Sequence, residues 1–227
     1  MRRFVEVVAE QRSAEWFAAR LGRLTGSVAS DAFAKLKDGK TWGAGRRNLM
    51  LRLVCERVTG RPQERNVQTQ AMQDGIDREP LAFAAYEALT GEMVQRSGFL
   101  SHLDHMAGCS LDGHIGDYDV LLSIKCRQPA AHLDFLKSGA IPVDAMTQIL
   151  HELWITGARE HHYFSFNPDF PAALQSKMVV VHEHGRTMTI QEYEDKALAF
   201  LAECDREYEA LLTLSNPAGQ LAASLEK

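Results

Sequence analysis

Residues 110–126 read "SLDGHIGDYDVLLSIKC", and the assignment made to this stretch decides the fold. Its second half is short, strand-like and set off by turn residues, as a member of an antiparallel meander would be. On a strand, alternate residues share a face, so Asp119, Leu121, Ser123 and Lys125 point one way. Val120, Leu122, Ile124 and Cys126 point the other way, into a core. A lysine closing a buried strand must reach solvent or a partner, because an unpaired buried ammonium is costly. Asp112, at the turn after the preceding strand, is the candidate partner. A hairpin with one salt bridge accounts for this much without any function.

Working outward, "EMVQRSGFL" and "HMAGCSLDG" are two further short segments of the meander. Upstream the pattern is helical. "RSAEWFAARLG" has Ser13 to cap it, Glu15 in its first turn and Gly22 to stop it. "RLTGS" reads as a turn, and "SVASDAFAKL" begins a second helix at Ser27. In "GAGRRNLMLRLVCERVTG" the residues Leu49, Leu53 and Val54 share a face and Gly60 ends the helix. "NVQTQAMQDGIDREPLAFAAYEALTG" is longer, and Pro80 is expected to bend or restart it. Downstream, "PVDAMTQILHELWITGA" is helical with Ala145, Ile149, Leu153 and Thr156 on one face. "HHYFSF" and "KMVVVHEH" are strands, and a helix from about residue 189 to 214 closes the chain. Helices, strands, helix, strands, helix make an α/β layer with a mixed sheet covered on both faces. The 227 residues fit a single domain spanning 1–227.

Composition is that of an ordinary globular protein, 45% hydrophobic and 24% charged. The net charge of −5 argues at first against a nucleic-acid partner. A partner senses local potential, however, and the charge is unevenly placed. Arginines are dense early (Arg2, Arg3, Arg12, Arg20, Arg23, Arg46, Arg47, Arg52), whereas "EYEDKALAFLAECDREYEALL" alone carries seven carboxylates. A basic channel on one face and an acidic face elsewhere are compatible with that. Cys55, Cys109, Cys126 and Cys204 lack CxxC spacing and suggest no disulfide framework. No apolar leader or membrane-length segment is seen, so the expected location is a reducing cytoplasm without membrane attachment.

Asp112, Lys125 and the Ile124 carbonyl make up most of a phosphodiester-cleaving centre. Such hydrolysis uses a divalent metal, which polarises the phosphate and acidifies a bound water. Magnesium takes oxygen ligands, usually one or two carboxylates with carbonyls and waters. A lysine stabilises the developing charge. The missing part is a carboxylate at position 123, where Ser123 stands.

Several separate motifs carry a family resemblance. "SLDG…LLSIKC" resembles the D…(D/E)xK signature of restriction-endonuclease-like nucleases. "EWFAARLGRLTGS", "GIDREPLAFAAYEALTG", "AMTQILHELWITG" and "HHYFSFNPDF" are similar, in order, to motifs of the phage lambda exonuclease or YqaJ-like viral recombinase family. Together they span roughly residues 11 to 170; ordered motifs of this number are far more specific than one DxK strand. The resemblance implies a PD-(D/E)xK core whose mixed sheet is flanked by helices on both faces. It implies a magnesium-dependent 5′-to-3′ exonuclease on double-stranded DNA ends, with manganese able to substitute. It also implies a homotrimeric ring and a single-strand annealing protein as recombination partner.

Residue by residue, Glu79 matches the family's helix carboxylate, Asp112 its first metal-ligand aspartate, Lys125 its catalytic lysine and Gln148 its helix glutamine. Position 123, with Ile124 beside it, completes the family's metal ligands. Arg20, Ser27 and Ser110 match positions that hold the 5′-phosphate, and Trp16 an aromatic beside them. Arg20 offers a planar fork suited to phosphate, and Ser27 opens a predicted helix, where free N–H groups attract an anion. Ser123 departs from the family, and three accounts stay open. The substitution is engineered, which the intact surroundings favour, and the chain is impaired. Or the ligand has migrated, to Glu152 rather than to Asp119, which lies ~13 Å back along the strand. Or the chain is a binding-only relative. A catalytically inactive end-binding module and a structure-specific endonuclease are the rival functions.

Overall fold

In the computed structural model, which describes residues 2–63, 70–182 and 188–214, the deciding stretch is a hairpin. Its strands are β5 (Gly113–Ile115) and β6 (Val120–Cys126), in antiparallel register with Gly113 opposite Leu122. The turn between them holds Gly116 and Tyr118 at positive φ. β6 then pairs in parallel with β7 (Glu160–Phe166), which pairs antiparallel with β8 (Ser176–His182). A parallel pair needs a crossover, and two helices supply it: α5 (Pro129–Ser138) and α6 (Val143–Thr156). α5 is not among the helices expected from the sequence; Pro129 at its first position is the local start signal.

A second four-stranded sheet holds β1 (Phe4–Val7), β3 (Phe99–His102), β4 (Ala107–Ser110) and β2 (Leu24–Thr25), in the order β1-β3-β4-β2. The architecture is therefore mixed α/β, as expected, with the strands divided between two mixed sheets. The "RLTGS" turn contains β2, parallel to β4, because Leu24 is fully buried and its backbone is taken up by Met106 and β4. The strand foreseen in "EMVQRSGFL" begins only at Phe99, although Gln95 forms an isolated bridge to His114.

The remaining helices are α1 (Ala14–Arg20), α2 (Ala29–Ala32), α3 (Ala44–Thr59), α4 (Gln70–Thr90) and α7 (Ile190–Leu214). Ser13 caps α1 by accepting from the Trp16 N–H at 3.1 Å, and Gly60 ends α3 in the left-handed conformation. The second helix is shorter than expected: a 3₁₀ turn at Gly26–Val28 precedes a single turn of α2. α4 runs through Pro80 without a restart. Proline removes one helical hydrogen bond, and packing of Ala82, Phe83 and Tyr86 on the sheet holds the following turns in place.

Both faces of β6 are buried. Leu122 and Ile124 pack with Phe164, Phe166 and α4 in a smaller core. Leu121 faces the larger core, with Tyr163 from β7 and Leu153, Trp154 and Phe200 from α6 and α7. Each such large side chain removed from water contributes about 1.5–3 kcal/mol. α6 is buried nearly all round from Ile149 to Ile155, which is broader than a one-sided amphipathic stripe. Its His151 shows how polar groups survive there. Nε2 donates to the Gly108 carbonyl at 3.0 Å, and Nδ1 accepts from the Tyr193 hydroxyl at 2.7 Å. The acidic run on α7 is not simply solvated. It pairs with the early arginines, Glu203 with Arg46 and Asp205 with Arg57, both at 2.7 Å, and Glu194 with Arg3 at 3.5 Å. The four cysteines are free, and among the described residues no helix is long and apolar enough to cross a membrane.

Candidate active site

The hairpin partner β5 stops opposite Leu122, so β6 loses a neighbour from Ser123 onward. The Ile124 N–H then donates to the Asp112 carboxylate, Oδ2, at 2.8 Å. Lys125 Nζ stands 3.7 Å from the same oxygen. The salt bridge expected from the sequence is thus present, at the lip of a cleft of about 590 Å³. Ser27, Glu79, Asp112, Ile124, Lys125 and Gln148 all line it. Burial works against the Lys125 ammonium, but Asp112 and then Glu152 and Tyr163 outweigh it, so its pKa is raised. Lys125 is a charged group throughout the neutral range.

Glu79 reaches the cleft from α4, and its Oε1 accepts from Arg96 at 3.0 Å. The same Arg96 nitrogen donates to the Asp112 carbonyl at 3.1 Å, and the guanidinium lies over the Phe83 ring, 3.6 Å from its centroid. Arg96 thereby ties the helix carboxylate to the aspartate loop. Sequence reading passed over it, since a lone arginine before a strand gives no signal.

The expected phosphate-binding residues come together around Arg20, and of them Ser27 also lines the cleft. Arg20 Nη1 donates to the Ser110 hydroxyl at 3.2 Å, and Nη2 to Thr25 at 3.4 Å and Ser27 at 3.5 Å. Trp16 Nε1 donates to the same Ser110 oxygen at 3.0 Å, and the guanidinium lies 4.1 Å from the Trp16 ring centroid. Thr25 was not foreseen. Burial lowers the Arg20 pKa to about 10, with Cys109 and Glu56 opposing; the group remains cationic at neutral pH. Ser27 belongs both to this cluster and to the cleft wall. Its turn sits hard against α6, because a Cβ on Gly26 would lie 3.1 Å from Gln148 Cγ.

Ser123 is placed differently from the others. It is 2% exposed, does not line the cleft, and its hydroxyl lies 3.3 Å from His161 Nε2. That nitrogen also meets Glu152 Oε2 at 2.8 Å, while Glu152 Oε1 accepts from Gln148 Nε2 at 2.8 Å. His161 was not foreseen as part of the site.

Residues 15–159 match the YqaJ-like viral recombinase domain. The chain belongs to the YqaJ-like viral recombinase family. The alkaline exonuclease LHK-Exo of Laribacter hongkongensis is similar at 34% identity and TM-score 0.77, over 94% of this chain and 100% of its own. The structure of LHK-Exo in complex with dAMP matches at 32% identity with the same coverage and TM-score. A phage related exonuclease from Haemophilus somnus 129PT, 10% identical over 86% of this chain and 96% of that one, shares the fold at TM-score 0.61. None of the curated proteins matches. The fold is that of the alkaline exonucleases, and this kinship makes the YqaJ-family chain a nuclease enzyme.

A hard cation suits the donors that the YqaJ-family chain offers. Asp112 and Glu79 are carboxylates on the cleft wall, and Ile124 also lines it. Such a set suits magnesium or manganese, which keep several waters beside one or two carboxylates. Among the described residues no three His, Cys, Asp or Glu side chains converge as a preformed cage. Cys126 also lines the cleft, and burial, with Glu79 next, pushes its thiol up to about 11; its soft sulfur is in any case a poor match for a hard cation.

Proposed function

We propose that this chain is a magnesium-dependent 5′-to-3′ exonuclease that degrades one strand from double-stranded DNA ends. The 3′ overhangs left behind would feed recombination by single-strand annealing, with an annealing protein as partner and a homotrimeric ring as the assembly. One observation carries the reading. A half-buried arginine surrounded by hydroxyls lies directly beside the Asp112–Lys125 cleft, with Ser27 common to both. Such a neighbour is suited to hold a terminal phosphate dianion while the next phosphodiester lies over Asp112. The family relative crystallised with dAMP, a nucleoside monophosphate, supports mononucleotides as product.

Arg20 would bind the terminal phosphate through its fork, and Ser27 and Ser110 would add hydroxyl donors. Asp112, the Ile124 carbonyl and Glu79 would hold the metal. When bound, the metal supplies charge neutralisation at the phosphate and an acidified water. Lys125, fixed against Asp112, would stabilise negative charge on the reacting oxygens. Gln148 reaches into the cleft to orient the scissile group or a water. Mononucleotide release from 5′-phosphorylated and 5′-hydroxyl duplexes tests the reading. Rapid release from the phosphorylated end supports it. Cleavage at internal sites, or binding without release, would favour an endonuclease or an end-binding module.

A further inference from the structure

The geometry points to Glu152, on α6, as a further carboxylate of the metal site, in place of the acid that β6 lacks at Ser123. This rests on the reading that the cleft works with a divalent cation. Glu152 is 1% exposed, and a buried carboxylate is costly unless it is paired and hydrogen-bonded. Its surroundings are therefore informative. Oε1 is held by Gln148, a cleft-lining residue, and Oε2 by His161 Nε2. Ser123 Oγ and Glu152 Oε2 lie within hydrogen-bond reach of that one nitrogen. The small side chain at 123 and the long one at 152 thus meet at the same His161 nitrogen. The one carboxylate there arrives from the helix rather than from the strand.

The ammonium of Lys125 senses it: Glu152 ranks after Asp112 among the charges that stabilise the protonated form. An ionised carboxylate has about four acceptor positions, so the contacts with Gln148 and His161 leave room for a cation. Glu152 Oε2 accepts, so His161 Nε2 carries the proton, and Nδ1 is buried without a partner. A purely structural histidine would be expected to use both nitrogens, as His151 does. His161 instead fixes the orientation of one carboxylate, as an outer partner of a metal ligand does.

The rival account is a structural Glu152–His161 pair beside an inactivated centre. Calorimetric titration with Mn²⁺ separates the two, using the chain itself, Glu152→Gln, Ser123→Glu and the exchanged pair Ser123→Glu/Glu152→Ser. The amide keeps the volume and the contact to Gln148 but removes the charge. We expect Mn²⁺ affinity to fall at least tenfold in Glu152→Gln, as even outer-sphere changes cost about 10–100-fold, and to return in the exchanged pair. Ser123→Glu alone should gain nothing, since two carboxylates would crowd one buried space. Unchanged Mn²⁺ affinity in Glu152→Gln, or no Mn²⁺ binding by the chain itself, overturns the assignment. So does a Ser123→Glu variant that binds Mn²⁺ far more tightly than its parent. If Glu152→Gln does not fold, the exchanged pair decides: Mn²⁺ bound as by the parent supports the exchange, and none bound refutes it. Metal-free binding of 5′-phosphorylated ends, compared with Arg20→Ala, reports on the exonuclease reading separately.

Discussion

Arg20 Nη1 donates to the Ser110 hydroxyl at 3.2 Å, across 90 residues of chain. This contact fastens α1 to the end of β4, two residues before Asp112. The arginine proposed to bind the DNA end and the first metal-ligand candidate are therefore set by one strand terminus. A displaced phosphate anchor would misplace the scissile bond, and small misplacements are expensive in rate.

Arg20→Ala should remove the preference for 5′-phosphorylated ends. A charge-assisted contact of ~1.5–3 kcal/mol corresponds to roughly a 10–100-fold loss on the phosphorylated duplex. On the 5′-hydroxyl duplex, which presents no dianion, the loss should be much smaller. Equal losses on both ends would assign Arg20 to folding or to general backbone affinity.

Lys125→Met should lower turnover by about 10²–10³-fold, the scale of one lost electrostatic donor in a transition state. Duplex affinity should stay close to that of the parent, because the group acts where charge develops. Single-turnover rates and equilibrium binding on the same preparations distinguish this from a DNA-contact lysine, which would lose both.

Gly26→Ala places a methyl group 3.1 Å from Gln148 Cγ. The 3₁₀ turn carrying Ser27 or the helix carrying Gln148 must then give way. Overpacking of this kind costs about 1–3 kcal/mol. We expect a lower Tm together with weaker discrimination of phosphorylated ends, since Ser27 moves with the turn. A normal Tm with normal discrimination would show that α6 tolerates the shift.

Acid should destabilise the fold through His151, whose pKa burial lowers from 6.5 to about 4. Its neutral form is bound in the native state, so its contribution is complete above pH 6.5. That contribution is lost progressively as pH falls from 6.5 towards 4, because the unfolded chain takes up the proton first. The full difference is about 3 kcal/mol. His102, His114 and His162, whose pKa values burial also lowers, act in the same direction. Thermal unfolding of the chain and of His151→Gln between pH 7 and 4 should show a shallower pH dependence in the variant.

If the ring assembly is correct, light scattering at micromolar protein should give three times the 25.3 kDa chain mass. A monomeric mass would remove the enclosed channel as the explanation of how an acidic chain holds DNA.

The sequence alone determined most of the helices and the central strand, because their signals are local. Ser13 and Gly60 act within a turn of the helices they bound, and the alternation from Asp119 to Lys125 follows from strand geometry. It also determined the identity of the Arg20, Ser27 and Ser110 cluster and of the Asp112–Lys125 pair, through motif order. Short elements were less legible: β2 has two residues and exists only because β4 lies beside it. The division into two sheets follows from long-range pairing, and no period along the chain encodes that. Pro80 looked like a break, yet burial of the residues after it kept α4 continuous. The largest gap concerned position 123. Read along the chain, Ser123 is a lost carboxylate, Glu152 is only one of three open accounts of it, and His161 is an unremarkable member of a strand. Only the crossover from β6 through α6 to β7 brings a strand serine, a helix glutamate and a neighbouring-strand histidine to one buried nitrogen. Side-chain distance between elements is a property of packing, and there the tertiary structure decided.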